Sequence, residues 1–325
     1  MSTTCDEILG RLDEARGGFG GAPKFPNEMM LDVLLDDIER NGNEHARRAL
    51  TLTLDRMCQG GIHDHIAGGF HRYTVDADWL VPHFEKMLYN QAQLLRVYAR
   101  GARLTGSREW RRVARNIAGY VLRDMTDAEG AFFSATDADS QGEEGKFFVW
   151  SPDEIEEALD PDDAEMVRVL YQVTDNGNFE GRNILNPGQS LEAFAESRGL
   201  DVESFYARLD RIHETLYHVR EQREHPVRDE KVITGWNGMM ITASGAGRLA
   251  TWARRTGSWP PGVLQTPCGT APWMGILSGV SRWGRRLRFG ATLRTMRFTP
   301  KPCWCCTPSP ASSATSFVAT ASSMR

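Results

Sequence analysis

The residues best suited to chemistry lie in one histidine-rich stretch, residues 60–86. Four of the eight histidines fall between His63 and His83, among glycines, aromatic rings, an arginine and acidic side chains. Glycines let a loop turn freely. Aromatic rings beside hydrogen-bonding groups are typical of a pocket that binds a sugar or another polar ligand. This stretch is therefore the first candidate for an active site.

His83 is the predicted general base of that site. Pro82 fits the first turn of a helix, and a helix beginning there places His83, Lys86 and Asn90 opposite its apolar stripe. Glu85 then falls at the edge of the stripe, so His83 and Glu85 would not both point into one pocket. A helix N-terminus disfavours imidazolium, which favours the neutral, base-competent ring. The alternative is a solvated helix face.

An acidic segment, residues 137–146, is the second candidate. Asp137 and Asp139 would share one side of an extended chain, and paired carboxylates can divide general-acid and general-base work, as in glycoside cleavage. We therefore predict Asp139 or Asp137 as the acid. The alternative is a solvated acidic hairpin loop. Residues 176–181 form a similar polar turn with a weaker signal.

A further set of polar and aromatic residues in these segments is predicted to bind the substrate: His71, Arg72, Tyr73, Asp76, Trp79, Glu85, Lys86, Asn90, Asn178 and Glu180. His63 and His65 could face one side as a metal pair, but no third ligand is fixed by spacing. We therefore predict neither a metal nor a cofactor. The chain also lacks the motifs of nucleotide-binding loops, the serine-hydrolase elbow and the zinc-protease helix.

Helices must position these segments, and apolar periodicity predicts amphipathic helices in pairs through the first 245 residues. Signals for helix ends lie at Asn43, Gly60, Gly106, Ser107 and Ser151. Later helices are predicted at 162–171, 190–197, 202–219 and 234–250. Short strands are predicted at 131–134 and 146–150, on either side of the acidic segment. The fold class is mainly α, interpreted as an incomplete α/α toroid with small β-hairpin insertions.

The C-terminal residues, 246–325, have a different composition. All 43 acidic residues of the chain lie at or before Glu230, whereas basic residues continue to the end. We predict that this acid-free basic tail is frameshifted or disordered; the alternative is a basic arm for nucleic acid. Without the tail only Cys5 and Cys58 remain, which suits a reducing cytoplasm. No apolar run is long enough for a membrane span.

Seven sequence blocks together resemble the spermatogenesis-associated protein 20-like family of thioredoxin-domain-containing proteins. They occur in the family's order, within residues 17–26, 68–73, 79–89, 137–140, 144–147, 178–181 and 229–238. The resemblance implies a toroid similar to six-hairpin glycosidases and N-acylglucosamine 2-epimerases. Asn90 stands where the family pattern leads us to expect an Asp.

The resemblance also implies a domain organisation. Residues 1–26 would be a junction after a missing N-terminal thioredoxin-like domain, 27–245 a partial toroid and 246–325 the atypical tail. The predicted function is acid–base chemistry on a sugar by a glycosidase- or epimerase-like protein of carbohydrate metabolism. The alternatives are a non-catalytic module that binds a thioredoxin-like domain, or an inactive truncated product. Neither a membrane nor a nucleic acid is an expected partner.

Overall fold

The computed structural model describes residues 2–245, so the predicted tail at 246–325 lies outside the described residues. The described chain is mainly helical. Its helices, in chain order, are α1 (Ser2–Leu9), α2 (Glu28–Asn41), α3 (Glu44–Gln59), α4 (Leu88–Thr105), α5 (Arg108–Asp124), α6 (Pro152–Ala158), α7 (Pro161–Leu170), α8 (Leu191–Ser197), α9 (Val202–Arg220) and α10 (Thr234–Gly245).

Seven two-residue strands are described between these helices. They are β1 (Tyr73–Thr74), β2 (Pro82–His83), β3 (Lys86–Met87), β4 (Ala135–Thr136), β5 (Asp139–Ser140), β6 (Glu143–Glu144) and β7 (Arg228–Asp229). They pair antiparallel as β1–β2, β3–β4–β7 and β5–β6. The prediction of a mainly α protein with small β-hairpin insertions is confirmed.

Local capping chemistry fixes most helix ends. The Asn43 side chain accepts hydrogen bonds from the first backbone N–H groups of α3, and Ser107 does the same for α5. Ser151 and Glu154 form a reciprocal capping box at the start of α6. Gly106 ends α4 in the left-handed conformation, at φ 80°. These ends agree with the sequence prediction, because each depends on residues only a few positions apart.

The largest hydrophobic core lies among the helix pairs. Helix α4 packs against α5, α10 and α2, and α2 also packs against α3. Cys5, Ile8 and Phe19 are buried in the same core, so residues 4–26 pack against the first helix pair. A second cluster joins α6 to α9 around Trp150, with Phe194 among its members.

The predicted helix start at Pro82 is wrong, because residues 82–87 are extended and α4 begins only at Leu88. Burial alternates along the segment: Pro82, Phe84 and Lys86 are buried, and His83 lies between them half-buried. β2 pairs with β1, and β3 pairs with β4, which lies about fifty positions further along the chain. These long-range backbone hydrogen bonds are invisible to a search for helical periodicity.

The predicted strand at 146–150 is also wrong, and the strand predicted at 131–134 is displaced to β4. The acidic segment between them is itself the hairpin β5–β6. Its turn residues, Gln141 and Gly142, have φ of 57° and 77°, and two positive φ values are what a tight two-residue hairpin turn requires. Residues 145–148 form a turn instead. The adjacent Phe147 and Phe148 rings contact each other edge to face, with their centroids 5.1 Å apart. A short apolar run does not by itself specify a strand.

Candidate functional site

The extended segment 82–87 separates two groups of polar side chains. Side chains alternate across an extended chain, so His83 and Glu85 share the half-exposed face. Lys86 points to the opposite, fully buried face. The helical prediction placed His83 and Lys86 on one face and Glu85 away from them. In the structure, His83 and Glu85 share a face and Lys86 lies on the opposite one.

On the outward face, His83 lies between two carboxylates. Its Nδ1 is 2.7 Å from Oε1 of Glu144, and its Nε2 is 3.7 Å from Oε2 of Glu85. An ionised carboxylate can only accept a hydrogen bond, so Nδ1 donates to Glu144, and in the neutral ring the lone pair is then on Nε2. Glu144 thus orients the ring with Nε2 towards Glu85.

Two neighbours complete this outward site, which we define as Arg72, Tyr73, His83, Glu85 and Glu144. The guanidinium of Arg72 donates to Glu85 at 3.0 Å. The Tyr73 ring stacks on the His83 ring, with centroids 5.1 Å apart and planes inclined by 26°. The side chains of His83, Glu85, Arg72 and Glu144 retain between 23% and 45% of their exposure, so a ligand can reach them from solvent.

On the inward face, Asp64 is the centre of a buried cluster that we define as Asp64, Lys86 and Arg220. Lys86 Nζ donates to Asp64 Oδ2 at 2.7 Å, and Arg220 donates to both carboxylate oxygens at 3.0 Å. Backbone N–H groups of Ile66 and Ala67 donate to Oδ1 as well. The three charged side chains are no more than 3% exposed. The cluster ties the loop 60–73 to β3 and to the end of α9.

The charges of the buried cluster shift its pKa values. Burial alone would raise the pKa of Asp64, but the attraction of Arg220 and Lys86 outweighs it and holds that pKa well below its usual range. Burial lowers the pKa of Lys86 to about 8, although Asp64 acts in the opposite direction. Asp64 is thus a permanent anion, and its oxygens are saturated with hydrogen bonds.

Three histidines beside this cluster line a narrow crevice with Phe84 and Phe148. Burial lowers the pKa of His65 to about 4 and of His71 to about 3, so both rings are neutral at pH 7. His71 Nδ1 donates to the Phe84 carbonyl at 2.8 Å. Both ring nitrogens of His63 are buried and have no hydrogen-bond partner in the described part of the chain. The crevice has room for little more than a water molecule.

His63 and His65 also line a second crevice, on the side of α5 and α9. There the Tyr171 hydroxyl lies 2.6 Å from Nε2 of His213. Burial raises the pKa of Glu109 to about 7, and its carboxylate accepts from the Leu191 N–H. Both crevices are too small for a sugar ring, so neither is the predicted sugar pocket in this structure.

Five of the predicted substrate-binding residues have structural contacts instead. The Asp76 carboxylate accepts from three backbone N–H groups of its own turn. Trp79 is fully buried, and its indole donates to the Arg16 carbonyl. Asn178 exchanges hydrogen bonds with the backbone of Ile184. His71 and Lys86, as described above, face the interior.

The remaining predicted residues are divided between the interior and the surface. Asn90 is buried and donates to Glu28 at 2.6 Å. Glu180 is exposed. Asp137 is exposed and accepts from the next backbone N–H. Asp139 is exposed and lies opposite Glu144 in the β5–β6 register. The structure therefore brings Glu144, rather than Asp139 or Asp137, into hydrogen-bond contact with His83.

Sequence reasoning gave no role to Glu144, Asp64 or Arg220. Glu144 lies 61 positions from His83, and Arg220 lies 156 positions from Asp64. The sequence offers one signal for Asp64. It lies between two histidines in a glycine-rich loop, a setting that is unusual for a solvent-exposed acidic side chain. No pattern within α9 distinguishes Arg220 from the other basic residues of that helix.

Residues 2–245 form neither of two other kinds of site, a metal centre and a membrane span. Within residues 2–245, no three His, Cys, Asp or Glu side chains lie in an arrangement that could hold a metal ion. Over the same residues, every helix is too short or too polar to span a bilayer. Cys5 and Cys58 are both buried free thiols.

Curated proteins include clear relatives of the chain. Human spermatogenesis-associated protein 20 is 36% identical over 260 residues, which covers 71% of this chain and 33% of the human protein. The mouse protein of the same name is 35% identical over 273 residues, covering 74% of this chain and 34% of its own length. This chain is homologous to spermatogenesis-associated protein 20. It spans about a third of the length of these relatives. No family model matches it.

Solved structures with a similar arrangement are more distant. A sugar epimerase from a ruminal bacterium shares 12% identity, with 87% of this chain and 83% of that chain covered and a TM-score of 0.38. Cellobiose 2-epimerase from Bacillus thermoamylovorans also shares 12% identity, with 87% of both chains covered and a TM-score of 0.37.

Proposed function

We propose that the outward site binds a sugar and carries out acid–base chemistry on it, with His83 as the base. The observation that carries the proposal is the 2.7 Å hydrogen bond from His83 Nδ1 to Glu144. A histidine oriented by a carboxylate, on a half-exposed face that a ligand can reach, is the arrangement that general-base catalysis needs. We also propose that the helix pairs of this homologue of spermatogenesis-associated protein 20 form part of an α/α toroid.

The two carboxylates beside His83 have different tasks in this mechanism. Glu144 fixes the tautomer, so that Nε2 takes the proton from the sugar. The resulting imidazolium then lies between Glu144 and Glu85, and both negative charges stabilise it. Arg72 donates to Glu85 at 3.0 Å and holds that carboxylate in place. Returning the proton from Nε2 regenerates the neutral base.

The proton donor of the reaction is a separate proposal. We propose Asp139 as the proton donor, because it lies directly opposite Glu144 on the exposed hairpin β5–β6. Directly opposed residues of an antiparallel pair place their side chains on the same face. Asp137 remains the alternative donor. The free polar atoms of Arg72 and Tyr73 would hydrogen-bond to the sugar hydroxyls, as in polar ligand sites with few convergent groups.

A thermal-shift experiment on the full 325-residue chain tests the proposal. Glucose, mannose, N-acetylglucosamine and their β-1,4-linked disaccharides serve as probes. A sugar that binds only the native state raises the unfolding midpoint. His83→Ala should abolish that rise, whereas His45→Ala, at an exposed position of α3, should preserve it. The proposal fails if no probe shifts the midpoint, or if both variants respond alike.

Turnover separates an enzyme from the alternative function. Epimerisation or hydrolysis of the bound sugar, followed by NMR and lost in His83→Ala, would support catalysis. Binding without turnover would make the outward site a binding module. The proposed cytoplasmic partner of such a module is a thioredoxin-like domain, and a pull-down with that domain expressed separately tests it.

A further inference from the structure

One sequence block has no part in the proposed chemistry, namely the glycine-rich block 17–26. Lys24 in this block is fully buried. Its backbone exchanges two hydrogen bonds with Thr74, at 2.7 and 2.9 Å. Its Nζ donates to Asp13 at 2.8 Å and to the Ala77 carbonyl at 3.0 Å. The block is therefore fixed to β1 by a short antiparallel bridge and a buried ion pair.

This anchoring determines where the next residue lies. Lys24 and Thr74 both point inward and are 0% exposed. Alternation then places the following Phe25 and the preceding Tyr73 on the outward side. Their rings stack, with centroids 4.7 Å apart and planes inclined by 27°. Because Tyr73 also stacks on His83, three rings form a row from Phe25 through Tyr73 to His83.

The row ends in an exposed aromatic ring. Both faces of Tyr73 are covered by its neighbours, whereas Phe25 packs one face on Tyr73 and remains 42% exposed. An exposed aromatic ring held rigidly among polar groups offers the apolar surface on which the C–H face of a sugar packs. Two ring spacings, of 4.7 and 5.1 Å, separate Phe25 from His83. A single sugar at His83 does not reach the outer face of Phe25.

We propose that Phe25 is a second sugar-binding position, so that the substrate of the outward site is an oligosaccharide of two or three units. One sugar lies at His83, and a further unit of the same chain packs on Phe25. This inference rests on the proposed function, because it assigns the length of the ligand that the outward site binds. It makes Phe25 a specificity-determining residue, with no role in proton transfer.

Calorimetric titration of the full chain with glucose, cellobiose and cellotriose, and with mannose and its β-1,4-linked di- and trisaccharides, tests the inference. We expect the best trisaccharide to bind about tenfold more tightly than its monosaccharide. Phe25→Ala should reduce that ratio to about one, and Phe25→Trp should restore it. Met29→Ala is the control, since Met29 is 71% exposed nearby on α2 and should leave the ratio unchanged.

The outcomes separate the two proposals. If the wild-type chain binds sugars with equal affinity at every length, or if Phe25→Ala preserves the ratio, the second position is overturned while the outward site stands. If no sugar binds the wild-type chain, the proposed function is overturned and this inference with it. A loss of stability in Phe25→Ala cannot be mistaken for the expected loss of the affinity ratio. A variant with a damaged site would also bind the monosaccharide less tightly, and Phe25→Trp tests whether an aromatic ring restores the ratio.

Discussion

The two faces of the segment 82–87 carry similar residues in opposite environments. Outward, His83 has two carboxylates beside it and remains accessible. Inward, Lys86 and Arg220 saturate Asp64, and His71 is locked to a backbone carbonyl. Burial makes the inward charges structural, because breaking such a pair leaves an uncompensated charge in the interior. Exposure leaves the outward groups accessible to a ligand.

Acid should produce the largest effect, and it acts through the inward histidines. Burial lowers the pKa values of His63, His65, His71 and His213, while unfolded histidine titrates near 6.5. Below pH 6.5 the unfolded chain therefore binds more protons, and stability falls as the pH falls towards the native pKa values. Each histidine contributes about 1.4 kcal/mol per pH unit in that window.

Urea unfolding at a series of pH values measures this acid sensitivity. The four histidines should contribute three to four protons to the slope of the unfolding free energy between pH 6 and 5, and Glu109, whose pKa burial raises to about 7, should offset about one of them. His71→Asn should remove about one more. A stability that is independent of pH between 7 and 5 would contradict the description of these histidines as buried and neutral.

Breaking the buried cluster should have the next largest effect. Asp64→Asn keeps the shape but leaves Lys86 and Arg220 without their counter-ion, so we expect a loss of about 3–5 kcal/mol in the free energy of unfolding. Asp137→Asn, at an exposed carboxylate, should change it by less than about 0.5 kcal/mol. Equal stabilities of the two variants would show that the cluster is dispensable.

Changes in the outward site should separate function from stability. Glu144→Gln removes the negative charge that stabilises the His83 imidazolium, so sugar turnover should fall at least about tenfold. Because Glu144 is about half exposed, the free energy of unfolding should change by less than about 1 kcal/mol. A variant that loses stability but keeps its turnover would assign Glu144 a structural role.

The smallest expected effect concerns the hairpin that carries Glu144. Gly142 has φ of 77°, and a Cβ there would meet no atom within 4 Å, so Gly142→Ala costs only backbone strain, about 1 kcal/mol. Gly21→Ala is the matched control, with equally open surroundings and no positive φ. The melting temperatures of the two variants should differ by several degrees. Identical temperatures would contradict the described turn.

Within the described residues, the sequence was most informative where structure depends on neighbours. The ends of α3, α5 and α6 and the C-terminal end of α4 follow from caps and glycines within a few positions. Apolar periodicity identified most of the described helices, although not α1. The sequence also predicted a polar site that includes His83, Arg72, Tyr73 and Glu85, because these residue types lie close together in the chain.

Only the tertiary structure decided the direction in which those side chains point. Residues 82–87 are extended because β1 and β4 pair with them, and that pairing turns Lys86 inward and sets Glu85 beside His83. Glu144 and Arg220 reach their partners across long stretches of chain. Local propensity fixes where a helix ends, but the separation between an accessible base and a buried ion cluster arises from contacts between residues that are distant in sequence.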